Sequence, residues 1–328
     1  MGNLKQSIYL TIRGNRILSK ILQPVKAILK RRLEKQVRRH PLRRFDKQHQ
    51  IYYGKKLDIR NPRTMYEKIC FIEFCSDTAL LTRCTDKVAV RDYLKELGFG
   101  QYLNPVYKIF EDTPTVEQLD EAIPERCVVK TANSGGGESV FIVRDKDSDT
   151  AKKIYPGLLR AIADDYGRRT GQPHYIGIRP RVIIEKLIVN EQFPDLPPND
   201  YKLFCINGEP VFFNAIADRN LETHEILDQF FDLDWQPLGE DTVSSHRKIA
   251  CPRNLEKMLS VARQLARPFP FVRVDFYETG SELIFGELTF TPGFDNFIGR
   301  YGEDVLHLGE RLDISKVKCI REPQPDWY

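Results

Sequence analysis

The residues with the most chemical potential lie late in the chain, in Arg273-Val274-Asp275 and Glu287-Leu288-Thr289. On a strand over Phe271–Tyr277, a side-chain period of two puts Arg273 and Asp275 on one face and Val272, Val274 and Phe276 on the other. On a return strand over Leu283–Thr291, Glu287, Thr289 and Thr291 share a face opposite Leu288 and Phe290. A five-residue loop Glu278–Glu282 pairs Tyr277 with Leu283, hence Arg273 with Glu287. Asp275 and Glu287 then become diagonal neighbours about 7–8 Å apart at Cα. Two carboxylates at that spacing suit a hard divalent cation bound through oxygen. The competing reading is a cross-strand Arg273–Glu287 ion pair on a solvated face.

Two further clusters carry chemistry. In Val128-Val129-Lys130-Thr131-Ala132-Asn133-Ser134-Gly135-Gly136-Gly137, a strand ends in a lysine and leads into a Ser/Gly-rich loop. Glycines let backbone N–H groups come close to phosphate oxygens, and the lysine adds a point charge. The loop lacks the GK[ST] ending of a Walker A motif, and a strand follows it rather than a helix. Alternatively it is a flexible hairpin loop with an incidental lysine. In Ile183-Ile184-Glu185-Lys186-Leu187-Ile188 and Asp200-Tyr201-Lys202, an apolar strand ends in charge and a second begins with an acid. Such a link offers main-chain groups to an adenine edge and acids to ribose hydroxyls, or it is plain surface charge at strand ends. No Ser/His/Asp or Cys/His arrangement for nucleophilic catalysis is evident. Asp232-Leu233-Asp234 matches the short DxD pattern of metal-dependent glycosyltransferases, and equally a pair of solvated acids at a turn.

Several elements must position these groups. Helices are expected over Met65–Phe74, Leu80–Leu97, Thr115–Ile123, Ala151–Tyr166 and Pro252–Ala266. Strands are expected over Pro105–Phe110, Cys127–Lys130, Val140–Val143, Val182–Glu185, Tyr201–Ile206 and Pro210–Asn214, with Asn207-Gly208 as the turn between the last two. This is an α+β pattern with mostly antiparallel pairing in the C-terminal half.

In this order, the segments resemble the ATP-grasp superfamily, and most closely its TupA-like (teichuronopeptide biosynthesis) branch. The resemblance runs from about Asn61 to Ile314. It rests on Asn61-Pro62-Arg63-Thr64-Met65-Tyr66-Glu67-Lys68, Thr85-Asp86-Lys87, Val129-Lys130, Asp200-Tyr201-Lys202, Phe231-Asp232-Leu233-Asp234-Trp235, Phe269-Pro270-Phe271-Val272-Arg273-Val274-Asp275 and Gly286-Glu287-Leu288-Thr289. It implies ATP clamped between two α+β subdomains. Lys87 and Lys130 would contact phosphates, with the loop Asn133–Ser139 (Ser134, Gly135, Gly136 and Gly137 within it) closing over them. Glu185, Lys186 and the main chain at Ile188 would line the adenine end, with Asp200 or Glu191 at the ribose. Lys202 and Arg219 are candidates for phosphate or substrate. Asp275 and Glu287 would hold one or two magnesium ions, with Thr289 standing where ATP-grasp ligases commonly carry Asn. Arg273, with Lys130, would stabilise charge on an acyl phosphate. The implied activity is ADP-forming amide synthesis from a carboxylate and an amine, in the setting of a cell-surface polysaccharide, for example an amino acid joined to a uronic acid. An ATP-grasp kinase acting on a hydroxyl would use the same metal face.

Composition sets the frame. With 41% hydrophobic and 29% charged residues in 328, the chain has an ordinary globular composition. It has no run of about 18 apolar residues to span a membrane. Seven cysteines, an odd number without a CxxC pair, read as thiols of a reducing compartment. Residues 1–47 hold 14 Lys and Arg against Glu34 and Asp46, a charge of +12, which leaves −8 for the rest of a chain of net +4. Within this arm Ile17, Leu18, Ile21, Leu22, Val25, Ile28, Leu29 and Leu33 form a helical stripe flanked by Lys and Arg. It suits either an interfacial helix on anionic lipid or a helix docked on the body. Nucleic acid is not expected, because no aromatic interleaving or known module accompanies the charge. With no signal-peptide core, the expectation is a cytoplasmic protein, peripheral at the inner face of the membrane if the arm binds lipid. The organisation expected is a basic helical arm (1–47), a helical region (48–100), a subdomain with the glycine loop (101–185) and a subdomain with the metal hairpin (186–328).

Overall fold

The computed structural model describes residues 23–137, 139–191, 197–217, 226–238, 248–280, 282–293, 297–302 and 304–328. Arg219 and the stripe positions before residue 23 lie outside them. The chain divides into two compact units. One comprises Met1–Thr78, Asp165–Ile176 and Gly293–Tyr328; the other comprises Ala79–Asp164 and Gly177–Pro292.

The first unit is helical. Its central helix, Met65–Cys75, is apolar on most sides and is started by a capping box. The Thr64 hydroxyl accepts the Glu67 amide at 3.1 Å, and the Glu67 carboxylate accepts the Thr64 amide at 3.0 Å. Lys68 on this helix donates to the carbonyls of Gly309 (2.8 Å) and Leu312 (2.7 Å), tying the late chain to it. The helix Gln23–Val37 buries Val37 but leaves Ile28 and Leu29 more than half exposed. Gly171 shows how closely the segments meet. It ends the helix Tyr166–Thr170 at φ +71°, and a Cβ there would lie 2.4 Å from the Pro41 carbonyl oxygen.

The second unit holds two antiparallel sheets. Strands β1 (Val106–Phe110), β2 (Cys127–Thr131), β3 (Val140–Val143) and β4 (Val182–Lys186) form a sheet of order β1-β4-β2-β3. Cys127, Val129, Val182 and Ile184 on one face meet Leu119 and Leu158 from the helices Val116–Ala122 and Thr150–Ala163 in a buried core. The period of two then turns Lys130 and Glu185 to the other face. Strands β5 (Asn199–Ile206), β6 (Glu209–Ala217), β7 (Leu227–Phe231), β8 (Phe271–Thr279) and β9 (Glu282–Thr289) form the second sheet, of order β7-β6-β5-β8-β9. Leu203, Phe213, Val272, Val274 and Phe276 are buried in it, and the helix Leu255–Ala266 packs against β5, β6 and β8. The β5–β6 turn has φ +52° at Asn207 and +83° at Gly208, the left-handed pair of a two-residue hairpin turn.

Three sequence expectations need correction. The helix expected over Leu80–Leu97 is two helices, Ala79–Thr85 and Ala89–Glu96. The break falls at Asp86, whose Oδ1 accepts the amides of Val88 (2.8 Å) and Ala89 (3.2 Å) and so satisfies the start of the second helix. Strand β7 was not expected as a strand, because its buried Asp228 and Gln229 hide the apolar alternation. The β8–β9 register also differs. Thr279 pairs with Glu282, and a bulge between Asp275 and Phe276 admits Gly286 as the extra residue. Asp275 therefore faces Glu287 directly and Arg273 faces Thr289, in place of the diagonal arrangement.

Candidate active site

Strand pairing alone brings one row of polar residues across the five-stranded sheet. Asn214 on β6 pairs with Lys202 on β5, Lys202 with Asp275 on β8, and Asp275 with Glu287 on β9. Directly paired residues of antiparallel strands project from the same face. The row therefore forms a continuous polar strip on a sheet whose other face is apolar.

The strip is a charge network. The Arg273 guanidinium donates to both Asp275 oxygens at 2.6 Å, a fork-to-fork pairing, and also to Glu287 Oε1 at 3.1 Å and Thr289 Oγ1 at 3.0 Å. Thr289 in turn donates to Glu287 Oε1 at 2.7 Å. From the other side Lys202 Nζ donates to Asp200 (2.6 Å) and Asp275 (2.9 Å). Burial alone would push the Asp275 carboxyl up, but Arg273 and Lys202 hold it below its ordinary value. For Asp200 burial wins: together with the nearby Asp275 charge, it lifts the carboxyl above its ordinary value against the pull of Lys202. Burial opposes the charge on Lys202 as well, yet Asp275 and Asp200 raise its affinity for a proton. Glu287 is the open member of the set, with 47% of its side chain exposed against 3% for Asp275.

On the four-stranded sheet, Lys130 Nζ meets Glu185 at 2.7 Å. Arg91 approaches the same carboxylate at 3.6 Å, and Asn104 donates to Glu185 (3.4 Å) and to the Lys186 carbonyl (2.9 Å). Lys130 pairs with Val140 and Val128 with Ile142, and Val140 and Ile142 are exposed on this face beside the lysine. Lys186 is exposed at the end of β4, and Ile188 is half-buried just beyond it.

Lys87 links the two sheets. It donates to the carbonyl of Ser134 in the glycine loop, and its charge feels Glu287, Lys130 and Glu185. Burial pulls this lysine down to about 8, with Glu287 opposing and Lys130 assisting. The loop itself is braced from below. The Ser134 hydroxyl bonds Thr131 at 3.1 Å and also bonds Ser139, while Gly136 and Gly137 carry φ of +71° and +79° above them.

The geometry thus gathers Lys87, Lys130, Ser134, Gly135, Gly136, Gly137 and Glu185 on one side and Asp200, Lys202, Arg273, Asp275, Glu287 and Thr289 on the other. Sequence reasoning gave no role to Asn104 or Arg91, which hold Glu185 in place. The charge of Arg91 after the apolar run Val88-Ala89-Val90 was the available signal; Asn104 gave none. Among the described residues, no group of three His, Cys, Asp or Glu is close enough to hold a metal by itself. Two carboxylates and a hydroxyl are the donor set that magnesium uses when phosphates complete its coordination, and Asp275, Glu287 and Thr289 could supply it. Asp232 and Asp234 belong instead to a turn. Asp232 Oδ1 accepts the amides of Asp234 (3.0 Å) and Gln236 (2.7 Å), and Trp235 stacks on Phe231.

The family model described as TupA-like ATPgrasp matches residues 68–311. No curated protein matches the chain. Among solved structures, D-alanine–D-alanine ligase from Bacillus anthracis is 16% identical with a TM-score of 0.41, over 70% of this chain and 67% of that one. The Helicobacter pylori enzyme of the same name is 18% identical with a TM-score of 0.43, over 70% and 61%. The biotin carboxylase domain of Hydrogenobacter thermophilus 2-oxoglutarate carboxylase is 14% identical with a TM-score of 0.47, over 77% and 49%. The chain thus spans between about half and two thirds of the length of these proteins.

Proposed function

The chain belongs to the TupA-like ATP-grasp family, an α+β fold, and from that premise we propose that it is an ATP-dependent ligase joining a carboxylate to an amine through an acyl phosphate. One observation carries the reading: Asp275 and Glu287 face each other on paired strands beside a largely buried Arg273, and the charge of Lys87 feels Glu287 as well as Lys130 and Glu185.

A carboxylate oxygen of the substrate attacks the γ-phosphorus of ATP, and the bond to the β–γ bridging oxygen breaks to release ADP. An amine then attacks the acyl carbon, phosphate departs, and the nitrogen loses a proton. Asp275, Glu287 and Thr289 would hold magnesium, which when bound neutralises triphosphate charge and polarises the transferring group. Lys130, steadied by Glu185, meets phosphate oxygens. Lys87 exchanges the Ser134 carbonyl for a phosphate oxygen as the glycine loop settles over the nucleotide. Val140 and Ile142 offer apolar surface to the adenine, Lys186 and the main chain at Ile188 its polar edge, and Asp200 or Glu191 the ribose. Arg273 is oriented by its fork to Asp275, so its remaining N–H stabilises charge growing on the acyl phosphate and the tetrahedral intermediate. Lys202, held between Asp200 and Asp275, keeps the strip rigid. Arg219 completes the set of phosphate or substrate candidates.

The substrate we propose is a cell-surface polysaccharide or its precursor, for example a uronic acid receiving an amino acid. Ile28 and Leu29, exposed next to Lys30, Arg31 and Arg32, support a peripheral position on an anionic membrane. No helix among the described residues is long and apolar enough to cross one. Flotation with phosphatidylglycerol vesicles checks this: Ile28→Glu/Leu29→Glu should lose the bound fraction, and equal flotation of the variant removes the membrane from the account.

The activity is tested by an ADP-release screen over uronic acids and amino acids, with hydroxylamine as a surrogate amine. Magnesium-dependent ADP, phosphate and a hydroxamate are expected. ADP with a stable phosphorylated hydroxyl and no free phosphate would instead identify a kinase.

A further inference from the structure

We propose that the first unit carries a separate anion site that takes a phosphoryl group, at the corner between the helices Gln23–Val37 and Arg43–Tyr53. A cavity of about 480 Å³ opens there, lined by Lys35, Gln36, Arg39, His40, Arg43 and Tyr328. Lys35, Arg39 and Arg43 have no carboxylate within 4.0 Å among the described residues. Two acids beside these helices are engaged by cations outside the cavity: Glu34 pairs with Arg169 at 3.1 Å, and Asp165 pairs with Arg168 at 2.9 Å and with Arg38 at 4.0 Å.

The walls are fixed by contacts that leave the cationic ends available. His40 Nδ1 donates to the Asp326 carbonyl at 2.8 Å, which assigns the proton to that nitrogen. The Tyr328 hydroxyl accepts the Ile59 amide at 3.4 Å, and the Leu42 amide donates to the Trp327 carbonyl at 2.7 Å, with Leu42 fully buried. Three like charges around one concavity repel each other, and an anion relieves that repulsion. Planar guanidinium groups such as those of Arg39 and Arg43 match phosphate oxygens two at a time, and a phosphoryl dianion offsets more of the charge than a carboxylate does. The volume falls within the ~300–1,000 Å³ typical of small-ligand sites. Two sources share this chemistry, a phospholipid headgroup and a soluble phosphorylated molecule. None of these residues takes part in the ligase reading, so the two stand or fall separately.

The test titrates inorganic pyrophosphate into the full-length protein by calorimetry, with EDTA present. It compares the wild type with Arg39→Ala/Arg43→Ala and with Lys130→Ala. The double variant should bind about tenfold more weakly or worse, the scale of losing a charge-assisted contact, while Lys130→Ala retains this binding. The wild-type affinity should also fall as salt rises. A double variant that keeps the wild-type Kd overturns the site, as does a wild type that binds no pyrophosphate. If thermal melting shows the double variant unfolded, Arg39→Lys/Arg43→Lys replaces it; that variant keeps the charge but lacks the fork, so a loss of roughly threefold is expected and none overturns the site. A second arm assigns the source, using phosphatidylcholine vesicles with and without phosphatidic acid. Pyrophosphate-reversible binding that the double variant loses identifies the headgroup. Vesicle binding unchanged in the variant, alongside lost pyrophosphate binding, identifies a soluble ligand.

Discussion

In the second unit, Arg273 and Lys202 sit among Asp200, Asp275 and Glu287 at hydrogen-bond distances of 2.6–3.1 Å. In the first, Lys35, Arg39 and Arg43 line an open cavity with no carboxylate within 4.0 Å among the described residues. A cation taken out of water must be paired, because uncompensated burial costs several kcal/mol. A cation left in water need not be, and it remains free to recruit an anion from outside. The first arrangement suits charges that must keep their position while charge moves next to them. The second suits a binding surface whose strength depends on salt.

The sharpest way to break this contrast is to remove one partner from the buried network. Asp275→Asn leaves Arg273 and Lys202 without their shared counter-charge. It should lower unfolding free energy by about 3–5 kcal/mol in urea titrations. Glu287→Gln should lower it by less than about 1 kcal/mol, since that side chain is half in water. Equal stability losses would mean that the two carboxylates are not differently embedded. In the first unit, Gly171→Ala forces a Cβ against the Pro41 carbonyl at a left-handed φ. A loss of about 1–3 kcal/mol is expected by the same assay.

Lys87 gives the comparison a pH axis. Its folded value, about 8, lies below the ordinary 10.5. The folded state therefore binds fewer protons than the unfolded state between those values, and Lys87 makes stability rise with pH across that window. Below about 8 its charge is a constant cost. Lys87→Met should flatten the rise and stabilise the protein at pH 7, read from urea midpoints at pH 7, 8 and 9. Because phosphate favours the charged lysine, nucleotide binding at pH 8.5 should take up a proton in the native protein and none in the variant, measured by calorimetry in buffers of different ionisation enthalpy. The smallest effect is expected at the exposed stripe: Ile28→Glu/Leu29→Glu should change stability by no more than about 0.5 kcal/mol in thermal melts.

The strands that carry the site were legible because apolar and polar residues alternate along Phe271–Tyr277, and because Cys127-Val128-Val129 is a short apolar run ending at Lys130. The Asn207-Gly208 turn was legible from its two residues alone. The β8–β9 pairing was not, since it depends on a bulge, and one inserted residue shifts every partner beyond it. Gly286 inside a strand pattern was the available warning. The break at Asp86 escaped periodicity because it comes from a side chain capping amides two and three residues on. The contrast between the units was only half visible. The excess of Lys and Arg over residues 1–47 was plain, but which of them lack acids depends on packing with Asp165 and Arg169, more than a hundred residues away.

Phosphoryl transfer from ATP is the activity proposed for the Asp275–Glu287 face. The direct measurement is magnesium-dependent ADP release in the presence of an acid and an amine, for the native protein, Asp275→Asn and Glu287→Gln. A loss of at least ~100-fold in each variant is expected, including Glu287→Gln at full stability. Turnover in Glu287→Gln equal to that of the native protein would mean that this face does not perform the transfer.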